Sequence, residues 1–175
     1  FIRTRRNRLK QETFLFEMVP PSGKADIEVD LDSLLQVDEK EPLQRGEIHY
    51  IFMTPFSGST LLARCLDELP QCLVLKEPSI IYQLAYYKRD IVDKYGALSK
   101  EWQQCVDLVI RLMERTYSPG QKVIIKPNDE SFNIANTLLA SRNSSRLLFL
   151  YMDLPTFLAQ AIKDETRQTW VKTRV

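Results

Sequence analysis

Four short apolar runs, each followed by a longer amphipathic stretch, constrain the fold more than any other feature of this chain. They are HYIFMT from His49, CLVLK from Cys72, KVIIK from Lys122 and RLLFLYM from Arg146. TLLARCLDEL, SIIYQLAYYKRDIVDKYG, KEWQQCVDLVIRLMERTY, FNIANTLLAS and PTFLAQAIKDETR carry apolar residues at helical spacing. Gly96 marks one helix stop, Ser99 a cap, Asp129 or Ser131 another cap, and Pro155 a first turn. Strands alternating with helices predict βα units and a parallel sheet. Such strands are covered on both faces, which is why they read as continuous apolar runs. The expected fold is therefore α/β, in three layers, with a parallel sheet of at least four strands and helices on both faces. A chain of 175 residues is long enough for one such domain to bury its own core.

Residues 1–46 read differently, as an irregular N-terminal arm before a domain over residues 47–175. Arg3, Arg5, Arg6, Arg8 and Lys10 form a basic run, read as a solvated tail. It lacks interleaved aromatic residues, so nucleic acid is not an expected partner. The formal net charge of +1 supplies no global field toward nucleic acid or membrane. DIEVDLDSLL alternates charged and apolar residues and reads as a possible strand; EKEPLQRGE reads as a solvated linker. No apolar run reaches the roughly 20 residues that span a bilayer. A cytoplasmic location is expected, although an opening Phe1 suggests a trimmed chain. Cys65, Cys72 and Cys105 lack CxxC spacing and read as buried free thiols, with a Cys65–Cys72 pair in an oxidising compartment as the alternative, and no metal site is expected.

The most informative segment is YIFMTPFSGSTLL, residues 50–62, where an apolar strand runs into a small polar turn that opens a helix. Gly58 can take backbone angles closed to other residues and lets a ligand approach the main chain. The amides of Ser59, Thr60 and Leu61 then lack intrahelical partners and, with the helix dipole, form an anion site. Ser57, Ser59 and Thr60 add hydroxyl donors. The competing reading is a plain turn capped by Ser57 or Ser59. A Walker A loop is absent, because Ser59 stands where that loop has lysine.

The loop resembles the 5′-phosphosulfate-binding loop of the sulfotransferase family, a P-loop fold in which a strand leads through Lys/Arg-Ser-Gly-Thr-Thr/Ser into a helix. LVLKEP resembles that family's second strand, VIIKPND its third, and RLLFLYMDLPTFLAQAIK its fourth with the Arg-x-Pro…Ser segment that binds the nucleotide 3′-phosphate. The likeness covers roughly residues 47–165 and implies the donor 3′-phosphoadenosine 5′-phosphosulfate, without metal. Three positions depart: Phe56 stands at the loop Lys/Arg, Asp153 at the arginine and Ala161 at the serine. The family continues with a region that completes the nucleotide site, expected here beyond Val175 or from a partner protein.

Ligands of open parallel sheets bind beyond the carboxyl ends of the strands. Glu77 and Lys76 end the second strand and Lys126 the third. Glu77 is a candidate base for an acceptor hydroxyl or amine, and Lys126 a candidate replacement for the loop cation. Each has an ordinary alternative, a salt-bridged carboxylate and an exposed lysine. His49, the single histidine, falls away from the ligand edge and reads as structural. Tyr82, Tyr86 and Tyr87 read as packing; Trp102 and Trp170 carry no signal. Three functions fit: a sulfonate transferase, a non-catalytic binding module on the same fold, and a magnesium-dependent phosphotransferase using Asp153.

Overall fold

A computed structural model describes residues 5–15, 29–40, 44–96 and 99–173. Four parallel strands form one sheet in the order β2-β3-β1-β4: β1 (Ile48–Met53), β2 (Cys72–Lys76), β3 (Lys122–Lys126) and β4 (Leu147–Leu150). Register follows the side-chain alternation. Ile48 and Leu73 both pair with Val123, and Tyr50 and Leu75 with Ile125, so these residues share one face. Val74 and His49 pair with Ile124 on the other. The α/β expectation with an all-parallel sheet holds.

Before the sheet lie α1 (Arg6–Gln11) and α2 (Leu31–Lys40); the helices that follow are α3 (Ser59–Asp67), α4 (Ser79–Tyr95), α5 (Lys100–Met113), α6 (Ala135–Ala140), α7 (Leu154–Ala161) and α8 (Glu165–Lys172). On the first face Tyr50, Phe52, Val123 and Ile125 pack against Ile81, Leu84 and Ala85 of α4, Trp102, Val106 and Ile110 of α5, and Leu138 of α6. Ala63 of α3 packs with Cys72, Val74 and Ile124 on the second. Ser99 caps α5 by accepting from the Trp102 amide, and Gly96 ends α4 at a φ of 68°. All three cysteines are free thiols, but only Cys72 is buried; Cys105 is half-buried and Cys65, on α3, is exposed.

Several sequence expectations change. The possible strand in DIEVDLDSLL is helix over its second half: Asp30 accepts from the Ser33 amide at 2.8 Å and starts α2, so a cap overrides the alternation. Residues 26–28 of that segment, like 16–25, lie outside the described residues. The segment FNIANTLLAS begins as a 3-10 turn, Asp129–Ile134, before it becomes α6. PTFLAQAIKDETR is broken: α7 stops at Ala161, and the Asp164 carboxylate caps a new helix through the Arg167 amide. β4 is not covered on both faces. As an edge strand paired, among the described residues, with β1 alone, it leaves Leu148 and Phe149 47% and 41% exposed. The described basic residues are not simply solvated. Arg6 donates to the Asp67 carboxylate and to the Cys72 carbonyl, which seats α1 along the open edge of β2.

The linker also packs. The Gly46 amide donates to the Glu114 carbonyl, and the Thr116 amide to Gln44. A Cβ built at Gly46 would lie 2.0 Å from the Gln121 carbonyl oxygen. The Gln121 backbone on one side and the Thr116 methyl at 2.9 Å on the other prevent an easy escape, so Gly46→Ala is expected to cost about 3 kcal/mol. Urea unfolding of the variant measures this.

Candidate functional site

The helices that follow β1 and β3 leave to opposite faces, although these strands are neighbours. A crevice therefore opens beyond their carboxyl ends, where open α/β sheets place ligands. A cavity of about 820 Å³ occupies it. Gly58, Ser59, Thr60, Glu77 and Lys126 all line this cavity, together with Phe14, Tyr82, Arg167 and Trp170. Five of the seven site residues expected from sequence thus meet in one place. Ser57 does not line it: its hydroxyl is buried with no hydrogen-bond partner among the described residues. Leu61 is not part of the lining either, and it is 68% exposed.

The loop adopts the conformation its glycine allows. Gly58 is the N-cap of α3 at φ 82°, and a Cβ there would meet nothing within 4 Å. No side chain among the described residues caps the helix, so the alternative of a turn capped by Ser57 or Ser59 does not describe this loop. Leu62 donates back to the Gly58 carbonyl, whereas the amides of Ser59, Thr60 and Leu61 find no backbone acceptor among the described residues. An uncapped helix start beside a cavity leaves donors and the positive end of the dipole for an anion.

Backbone strain gathers here as well. Among the described residues, Phe56 (φ 67°) and Glu77 (φ 52°) are the non-glycine residues with positive φ, and both line the cavity. Such angles cost about 1–3 kcal/mol each and persist where surrounding structure imposes them, most often at functional sites.

Lys126 is completely buried and forms a salt bridge with Glu77, whose side chain is 12% exposed. The Phe14 ring of the N-terminal arm lies 5.6 Å from the Lys126 ammonium. The ordinary alternative for Lys126, an exposed lysine, therefore fails, whereas the salt-bridged alternative for Glu77 describes its ground state. Lys76, by contrast, does not reach the cavity. Its ammonium is buried against the Asp67 carboxylate at 3.5 Å and the Lys10 carbonyl at 3.0 Å. Burial pushes it below the usual lysine range, and Asp67 opposes that shift.

Asp153 is also outside the cavity lining. It is the N-cap of α7, accepting from the Thr156 amide at 3.0 Å and hydroxyl at 2.7 Å. These bonds hold its carboxyl below the usual aspartate range, so it is ionised at neutral pH. His49 lies in β1, away from the cavity, and its Nδ1 accepts from the Arg146 amide. Tyr82, Tyr86 and Tyr87 are exposed rather than packed, with Tyr82 on the cavity wall.

Sequence reasoning missed Phe14, Arg167 and Trp170. The available signal for the last two was Asp164-Glu165, a cap followed by an acidic first turn, which announces a new helix inside an apparently continuous one. Phe14 had no signal, because its neighbour across space, Lys126, is distant in the chain.

No family model and no curated protein matches this chain. Among the described residues no helix is long and apolar enough to cross a membrane, and no cluster of three or more His, Cys, Asp or Glu side chains is placed to hold a metal ion.

Proposed function

We propose that this chain is a sulfotransferase-like P-loop protein that binds an anionic nucleotide donor at the loop of residues 57–61 and transfers a sulfonate to an acceptor hydroxyl or amine. The observation that carries this reading is the uncapped start of α3 opening, at Gly58, Ser59 and Thr60, into the cavity that Lys126 and Glu77 also line. Open space at the Gly58 Cβ position fits the close approach of a phosphosulfate to the main chain. When bound, that group supplies the sulfonate and leaves as the nucleotide phosphate.

The residues divide the remaining work. Main-chain amides of the loop hold the terminal anion. Glu77 takes the acceptor proton, which removes its charge and releases Lys126 from the salt bridge. The freed ammonium then faces negative charge developing on the transferring group. The donor in this reading is 3′-phosphoadenosine 5′-phosphosulfate, or its analogue lacking the 3′-phosphate. Asp153, ionised and engaged as the α7 cap at the family's arginine position, supplies no cation for the 3′-phosphate. The same residue favours a second reading, a binding module without catalysis that serves a protein partner.

Calorimetric titration without magnesium tests this. Adenosine 3′,5′-bisphosphate or adenosine 5′-phosphosulfate is expected to bind in the micromolar range, the latter no more weakly. Absence of binding by either nucleotide supports the module instead. Binding of ATP only with magnesium transfers the site to phosphoryl chemistry.

A further inference from the structure

The loop lacks its cation in sequence, because Phe56 stands beside Ser57 where a basic side chain is expected. In three dimensions the position is not apolar. The Arg167 guanidinium of α8 lies over the Phe56 ring, 4.9 Å from its centroid. Trp170, one turn further along α8, meets the same ring edge-on at 5.4 Å, and Phe157 of α7 approaches it at 6.0 Å. The break between α7 and α8 makes this possible: Asp164 restarts the helix and returns residues 166–170 to the loop.

We propose that Arg167 is the cation that meets the anion held at the Gly58 loop, supplied from α8 and mounted on Phe56 in place of a basic residue within the loop. The assignment rests on the loop reading above. Arg167 lines the cavity together with Gly58, Ser59 and Thr60, and its side chain is 30% exposed, so a ligand can reach it. Its orientation is set. Nη1 donates to the side-chain and main-chain oxygens of Gln160, and Nε lies 3.4 Å from the Asp164 carboxylate. Nη2 has no hydrogen-bond partner among the described residues. A guanidinium stacked on a ring keeps its in-plane donors for an oxyanion.

Accessibility favours the same residue over Lys126. Glu77, Asp129 and Glu130 share the lining, and the Lys126 charge is taken by Glu77 in the ground state. Arg167 also has a carboxylate neighbour, Asp164, but only at Nε, and its side chain is 30% exposed whereas that of Lys126 is fully buried, so Arg167 is the more accessible cation to an arriving anion. The strained φ of Phe56 has a use in this arrangement, since it holds the ring as the platform.

Titration of the full chain with adenosine 3′,5′-bisphosphate and adenosine 5′-phosphosulfate tests the assignment, comparing the wild type with Arg167→Gln and Arg167→Lys. Loss of one charge-assisted hydrogen bond predicts roughly tenfold to hundredfold weaker binding for Arg167→Gln. Arg167→Lys should recover part of the loss, because it keeps the charge but not the planar fork. A second measurement needs no variant: bound nucleotide should protect Arg167 of the wild type from an arginine-specific dicarbonyl reagent, read by mass spectrometry. Binding by Arg167→Gln within about twofold of wild type, or unprotected modification of Arg167 in the complex, overturns this assignment and leaves the loop reading intact. Failure of the wild type to bind either nucleotide overturns both.

Discussion

Replacing Asp67 with alanine is expected to destabilise the protein by about 3–5 kcal/mol, because it strands a buried charge. Asp67 ends α3 and is buried, yet it serves three partners. Arg6 reaches it at 2.5 Å, the Val74 amide at 3.2 Å and the Lys76 ammonium at 3.5 Å. Lys76 is fully buried, and its other hydrogen bond is to the Lys10 carbonyl. Without the carboxylate, one ammonium stays out of water with a single neutral acceptor among the described residues, and the guanidinium holding α1 to the sheet edge loses its charge partner. Asp67→Asn keeps an acceptor for Val74 but not the charge, so an intermediate loss is expected. Urea unfolding monitored by circular dichroism gives the values. An Asp67→Ala midpoint close to wild type would mean that Lys76 reaches solvent. The consequence extends to the site, because the arm that Arg6 anchors also places Phe14 over Lys126.

The second large effect is an asymmetry within the Glu77–Lys126 pair. Removing either partner of a buried salt bridge is costly, and the cost scales with how deeply the remaining charge is buried. Glu77→Leu leaves an ammonium with no solvent exposure and is expected to cost about 3–5 kcal/mol. Lys126→Met leaves a carboxylate that borders the cavity and can turn toward water, so about 1–2 kcal/mol is expected. The double variant should cost less than the sum of the two, since no charge is stranded. Equal losses in the two single variants would show that Lys126 gains water as readily as Glu77. Lys126→Met is consequently the variant in which nucleotide binding can be read on a folded protein.

Much of the cavity was legible along the chain. Gly58 announced a left-handed position, the small polar residues around it a helix start, and the apolar runs ending in Glu77 and Lys126 the strand ends that face it. These are local signals: a backbone angle, a period, a cap. The burial of Lys126 was not legible, since an isolated lysine at a strand end reads as solvated until its carboxylate partner and the Phe14 ring are placed around it. Nor was the role of the residues after Ala161. Apolar spacing ran on through Ile162, and the cap at Asp164 carried the only sign of a break.

The order of short apolar runs and amphipathic stretches determined the parallel α/β architecture, because side-chain period and chain length leave few ways to cover such strands. The SGST turn likewise determined a glycine-led helix start, while the absence of a side-chain cap from the described residues was decided by the structure. Strand order, the seating of α1 on the edge of β2, and the return of Arg167 to Phe56 were decided only by the tertiary structure. Each depends on contacts between residues far apart in sequence, whose energies do not exist until the core has brought them together.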